Sequence, residues 1–118
     1  LLYRGRWIWM WPNWTLSFFT GGMNTSRLMP LGVDRTELIY DFYFSDVSDA
    51  ASDSRQETIQ RNIAVIEQDF DICIHTHQNY LSGGYQPGPL SPRHEKGVHL
   101  FQDLVKQHIG KAREALAD

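Results

Sequence analysis

The sequence predicts an α+β fold, an antiparallel β-sheet with a long helix and a C-terminal helix packed on one face. Three observations predict it. Before Asp46 the chain falls into short runs rich in aromatic and β-branched residues, separated by turn signals. After Asp46, apolar residues recur three or four apart. Gly83-Gly84 and the Pro87-Gly88-Pro89 loop then cut that second half into two helices. The expected organisation is strands over 1–46, a long helix over 53–83 and a C-terminal helix over 91–110.

The strands are expected at Tyr3 to Trp11, Thr15 to Thr20, Asn24 to Leu31 and Glu37 to Phe44. Pro12-Asn13, Gly21-Gly22 and Gly32-Val33-Asp34 separate them, and such short connections suit an antiparallel meander. A sheet this aromatic exposes apolar surface on its own, so further strands are expected outside this sequence. Ser45 to Ser54 is polar and reads as a surface connection leading into a helix. Ile59, Ile63, Ile66, Phe70, Cys73 or Ile74, His77 and Leu81 then mark one helical face, with a kink expected near Asp69. Gly83-Gly84 stops the helix by supplying positive φ at its C-terminal cap. Ser91-Pro92 places a capping Ser and a first-turn Pro for the next helix. Phe101, Leu104, Val105, His108 and Ile109 give that helix its stripe, and Gly110 is expected to weaken it.

Composition narrows the partners. The chain has 118 residues and a net charge of −3. Its basic residues (Arg4, Arg6, Arg27, Arg35, Lys106, Lys111) are scattered, which offers no stripe for a phosphate backbone and argues against nucleic acid. The aromatic run Trp7 to Trp14 is broken by Pro12-Asn13 and is far shorter than the roughly 20 residues of a membrane helix. The single cysteine, Cys73, makes no internal disulfide, in keeping with a reducing compartment; a cytoplasmic location is the expectation. The chain opens Leu-Leu-Tyr, inside a strand-like run, and so reads as a piece of a longer protein.

Candidate chemistry concentrates on the long helix. Spacing of four stacks Asp69, Cys73 and His77 on one strip, and Asp71 with His75 on the next. A buried Asp69 among apolar neighbours would need a cation or hydrogen-bond donors to offset its desolvation. His75 and His77 point roughly 200° apart around a helix and do not converge on one ion. An Asp69/Cys73/His77 zinc site would lack a fourth ligand. His94-Glu95-Lys96-Gly97-Val98-His99 spaces its histidines by five instead of four, so it is no zincin motif; Glu95 there suits the helix dipole. Nothing around Cys73 marks it as a nucleophile. No nucleotide-binding glycine motif and no Gly-x-Ser-x-Gly is present.

Taken in order, Trp9-Met10-Trp11-Pro12-Asn13, Pro30-Leu31-Gly32, Gln68-Asp69-Phe70-Asp71-Ile72-Cys73 and the Ser82 to Ser91 loop resemble consecutive blocks of the catalytic domain of Rieske non-haem iron oxygenases. His94 to His99 and Phe101 follow as that family's next helix start. The resemblance implies the C-terminal part of a helix-grip-like catalytic domain, with Asp69 as the carboxylate of a two-His, one-carboxylate site for mononuclear Fe(II). It also implies two His ligands upstream of this sequence and a [2Fe–2S] Rieske cluster in the full-length protein only. The substrate would be a small organic molecule used with O2, electrons would come from a reductase or ferredoxin, and the full-length protein would be a homo-oligomer, a trimer. The loop and last helix look closest to members acting on quaternary amines such as glycine betaine, choline or carnitine; ring hydroxylation is the other implied chemistry. His77 stands where the quaternary-amine branch often has Gln. Two readings without the resemblance remain: a metal-free α+β module binding a small ligand, and an oligomer-assembly fragment whose aromatic strands pair with another chain.

Overall fold

The computed structural model describes residues 5–116. The chain divides into two compact units, Leu1–Tyr85 and Gln86–Asp118. The first holds four strands, β1 (Arg6–Met10), β2 (Trp14–Phe19), β3 (Gly22–Pro30) and β4 (Thr36–Phe44), then a 3₁₀ turn at Asp49–Ala51 and helix α1 (Ser52–Leu81). The second holds helix α2 (Lys96–Ala115). The strands pair β1-β2-β3-β4, all antiparallel, so the expected meander and the α+β class are what the molecule adopts. Tyr3 and Arg4, where the first strand was expected to begin, lie outside the described residues.

Register decides what each face of the sheet carries. Trp7 pairs with Ser17 and Ser17 with Asn24; Trp9 pairs with Thr15, Thr15 with Ser26 and Ser26 with Tyr40. Partners share a face and neighbours along a strand alternate, so one face carries Trp7, Trp9, Thr15, Ser17, Asn24, Ser26 and Tyr40. Ile8, Leu16, Thr25 and Asp41 take the other. The middle of β3 is the best-covered part: Asn24, Thr25 and Ser26 are the buried polar residues, and no apolar side chain among the described residues is fully buried. Hydrogen bonds therefore hold the sheet's centre. The Thr15 and Ser26 hydroxyls bond each other, and Thr25 Oγ1 donates to Asp41 Oδ2 at 3.5 Å. Along β4, Tyr40, Phe42 and Phe44 form a ring ladder with centroids 5.7 and 6.4 Å apart, which Phe19 joins from β2 at 6.3 Å.

The turns fall where Pro, Asn and Gly signalled them. The Trp11-Pro12 bond is cis. Asn13 Nδ2 donates to the Leu28 carbonyl at 2.7 Å and Leu28 N to the Asn13 carbonyl at 3.0 Å, tying the first turn to β3. Gly21 has φ +89°, open to glycine without strain. β3 starts at Gly22, two residues earlier than expected, because Gly22 pairs with both Phe19 and Phe44. A Cβ there would drive into the Tyr43 carbonyl of the adjacent strand. After β4, Asp46 Oδ1 accepts from Ser48 N at 2.9 Å, and Arg55 Nη1 donates to the Ser48 and Asp46 carbonyls at 2.7 and 3.2 Å. This knot fixes how the chain enters α1. Bonds from the Ser48 side chain and backbone hold the Asp46 carboxyl below its ordinary value of 3.8.

α1 contains 30 residues with neither Pro nor Gly, and it runs unbroken through Asp69 for about 45 Å; the expected kink does not form. It ends at Leu81, two residues short of the expected boundary, with Gly83 at φ +71° as foreseen. Its covered stripe departs from the apolar pattern. Arg55, Thr58, Ile59, Asn62, Ile66 and His77 are half-buried, while Ile63, Phe70 and Ile74 are exposed. The helix is turned so that Asn62 meets the polar floor of the sheet: Asn24 Nδ2 donates to Asn62 Oδ1 at 3.4 Å. Ile59, Ile66 and His77 of the expected face thus stay on the covered side, joined there by the polar Asn62.

In the second unit, Ser91 and Glu95 form a reciprocal cap. Ser91 N donates to the Glu95 carboxylate at 2.5 Å, and His94 N to Ser91 Oγ at 3.3 Å. Residues 92–94 make a turn, so regular helix begins at Lys96 and not at Ser91. The far end also shifts, since α2 passes through Gly110 to Ala115. Lys111, Ala112, Arg113, Glu114 and Ala115 are good helix formers that carry it past a glycine costing about 1 kcal/mol. No described helix is long and apolar enough to cross a membrane.

Two predictions follow from these contacts. Gly22→Ala should destabilise the protein by about 2 kcal/mol, read as a lowered midpoint in chemical denaturation, because its Cβ meets backbone that cannot yield. Asp46 should titrate below 3.8 by carboxyl-carbon NMR, and Ser48→Ala should move that midpoint back up. With a depressed folded pKa, the Asp46 contribution is present above the ordinary value and fades as pH falls through the folded one.

Candidate functional site

The seam between the sheet and α1 is a cleft of about 600 Å³. Trp7 and Trp9 of β1 form one wall, with Val65 and Ile66 of α1 opposite. Its floor is a polar strip that register has already placed on one face: Thr15, Ser17, Asn24 and Ser26, with Tyr40 beyond. Arg61, Asn62 and Asp69 complete the helix side. A second hollow of about 390 Å³ continues the seam, sharing Trp7, Ser17, Asn24, Arg61 and Asn62. Small polar side chains explain why a gap exists here, since Ser, Thr and Asn leave room where large apolar residues would have filled it.

The two charged side chains of the main cleft differ in state. Arg61 Nη2 lies 2.5 Å from Glu57 Oε1, one turn back on α1, and its charge is matched there. Asp69 is exposed and has no hydrogen bond or ion pair with the described residues. Its exposure removes the desolvation penalty that a buried Asp69 would have carried. What remains is an accessible carboxylate at an aromatic cleft, free to accept a hydrogen bond or bind a cation.

The other sequence candidates are not gathered around it. Cys73, His75 and His77 follow Asp69 along α1, and none of them lines the cleft. His75 Nδ1 bonds the Asp71 backbone carbonyl at 2.8 Å, so that pair meets through main chain and not through the carboxylate. No three His, Cys, Asp or Glu side chains among the described residues lie close enough to hold a metal ion. Asp69/Cys73/His77 is therefore not a zinc site. For iron, Asp69 fits as one oxygen donor, but the described residues do not form a complete iron site. In the second unit, His99 Nδ1 lies 2.9 Å from Asp103 Oδ2 and Glu95 is engaged by Ser91, so neither forms a metal motif with His94.

Sequence reasoning missed the cleft's floor. The signal was the alternation Thr15-x-Ser17 and Asn24-x-Ser26, small polar residues at period two on strands otherwise rich in rings. Trp7, Trp9 and Tyr40 were read as sheet aromatics in general, and only strand register singles them out.

Comparison with known proteins bears on most of the chain. The family model described as "Ring hydroxylating alpha subunit (catalytic domain)" matches residues 1–111. Choline monooxygenase, chloroplastic, from Atriplex hortensis is 25% identical over 96 residues, which are 81% of this chain and 22% of that protein. The proteins of the same name from Spinacia oleracea and Amaranthus tricolor are 24% and 23% identical over 83% and 85% of this chain. They are matched over 22% and 23% of their own length, so the chain spans about a fifth of the curated relatives it matches. No solved structure gives a significant match. With the family model covering nearly all of it, the chain belongs to the ring-hydroxylating oxygenase α subunits and is part of their catalytic domain.

Proposed function

We propose that this chain serves, within a longer protein, in the O2-dependent hydroxylation or N-demethylation of a small organic substrate, with Asp69 as the carboxylate ligand of a mononuclear Fe(II). One observation carries the reading: among the described residues, Asp69 is the one carboxylate lining the main cleft, it is unpaired there, and it shares that cleft with Trp7, Trp9 and Tyr40. The iron would supply the oxygen chemistry, with its remaining ligands coming from outside the described residues. The chain's own residues bind and enclose the substrate. Ring faces attract a cation, and the apolar walls displace water from its methyl groups.

The substrate proposed is a quaternary amine, supported by the names of the relatives and by the charge of the lining. Arg61 is offset by Glu57, which leaves Asp69 as the uncompensated charge among the described residues of the cleft. An arene is the second reading, favoured by the family's description as ring-hydroxylating and by the same rings, against which it would pack. A [2Fe–2S] Rieske cluster elsewhere in the full protein, a reductase or ferredoxin donor and homo-oligomeric assembly complete the proposal, all supported by family membership alone.

Two experiments on the full-length protein test it. Asp69→Ala should empty the iron site and lower O2-coupled turnover by more than the roughly 10–100-fold typical of losing a residue that only orients a ligand. Wild-type iron content and turnover in that variant would exclude Asp69 as a ligand. Trp7→Leu should weaken binding of a trimethylammonium compound by about fivefold while leaving a neutral arene of similar size nearly unchanged, measured by calorimetry. Equal effects on both would argue against recognition of a cation.

A further inference from the structure

We infer that Gly5 is a positioning residue of the cleft: the space left by its missing side chain seats the Trp7 indole as a wall that both hollows share. The inference rests on the proposed function, in which that indole faces a cation, and deepens it by naming what holds the ring there.

The argument starts from a glycine that its backbone does not require. Gly21 and Gly83 are the described glycines with positive φ, so φ does not call for glycine at position 5. Space does. A Cβ at Gly5 would stand 2.5 Å from Trp7 Cη2, 2.9 Å from Cζ2 and 3.0 Å from Cζ3. The six-membered ring of the indole therefore occupies the place of that Cβ, folded back along the chain over the residue that precedes β1. An aromatic ring laid over a glycine at a sheet edge also covers backbone otherwise left bare, and β1 is an edge strand of the described sheet.

Other anchors for the ring are missing among the described residues. Trp7 is 74% exposed, with no ring packed on it and no hydrogen bond at its nitrogen. Trp9, next on the same face, has Trp11 edge-on at 6.1 Å. An indole without an anchor samples several rotamers, and a ligand that needs one of them must bear the cost of ordering it. Seated on Gly5, the ring is ordered beforehand. It lines both hollows from that seat, and Gly5 itself lines the smaller one. The atoms that a Cβ would meet here are the far end of a side chain, in contrast to Gly22, where they are backbone. A methyl group at position 5 thus displaces the indole and spares the sheet.

The test is a double-mutant cycle on the full-length protein, with tetramethylammonium as the probe and calorimetry as the readout. Gly5→Ala should weaken binding about threefold, in the same direction as Trp7→Leu, and leave the denaturation midpoint nearly unchanged. In the Trp7→Leu background Gly5→Ala should have no further effect, because no indole is left to displace. Gly5→Ser gives a second reading of the same cycle should the alanine variant fail to fold. An equal loss from Gly5→Ala with and without Trp7 overturns the assignment, since the methyl group would then act by filling the hollow. Wild-type affinity in the folded Gly5 variants, with Trp7→Leu still weakening binding, overturns it too and leaves the proposed function standing. No effect of Trp7→Leu, or no binding of the ion to wild type, is a distinct result: it removes the cation reading of the cleft, and the Gly5 role with it.

Discussion

The hydrogen bond between Asn24 and Asn62 governs how the sheet and α1 meet. It joins the most buried position of the central strand to the helix, and it does so through side chains that cannot pack as isoleucine would. A helix laid on an apolar floor would turn its apolar stripe inward and close the gap. Here Thr15, Ser17, Asn24 and Ser26 form the floor, and α1 presents Thr58, Asn62 and Asp69 along the seam beside Val65 and Ile66. The cleft, its mixed lining and the outward turn of Ile63, Phe70 and Ile74 all follow from that choice. In a catalytic domain this is a sensible place to give up close packing, because a filled core has no room for a substrate.

Most of the architecture was legible in the sequence because local signals and tertiary contacts agree. Pro12-Asn13, Gly21-Gly22 and Gly83 dictate backbone geometry by themselves, and each turn or stop lies where they put it. Signals that depend on context were less dependable. Ser91 and Glu95 do make their cap, but they make it on a turn ahead of the regular helix. Gly110 weakens a helix but ends it only when its neighbours are poor formers, and Lys111 to Ala115 are not. The kink expected near Asp69 had no residue to cause it.

The site was legible only in part, for a different physical reason. Asp69 announces itself as a carboxylate inside an apolar helix, but a helix pattern says nothing about what lies opposite. The floor requires strand register, which turns the residues Thr15, Ser17, Asn24 and Ser26 from scattered polar positions into one surface. Periodicity misled at this point, since it assigns the covered face to the largest apolar residues. The Asn24 amide nitrogen finds its partner on α1, and Ile63, Phe70 and Ile74 are left on an exposed flank where they cost little.

The unbroken course of α1 then gains a functional meaning. Asn62 and Asp69 are seven residues apart on one rigid helix, nearly two turns, which separates them by about 10 Å along its axis. Anchoring Asn62 to the sheet through Asn24 therefore also fixes the height of Asp69 above the floor. A kink between them would let the carboxylate drift relative to the cleft. The absence of Pro and Gly from Ser52–Leu81 thus couples the amide contact at one end of the seam to the carboxylate at the other. The position of the Asp69 carboxylate is thereby tied to a neutral amide pair two turns away.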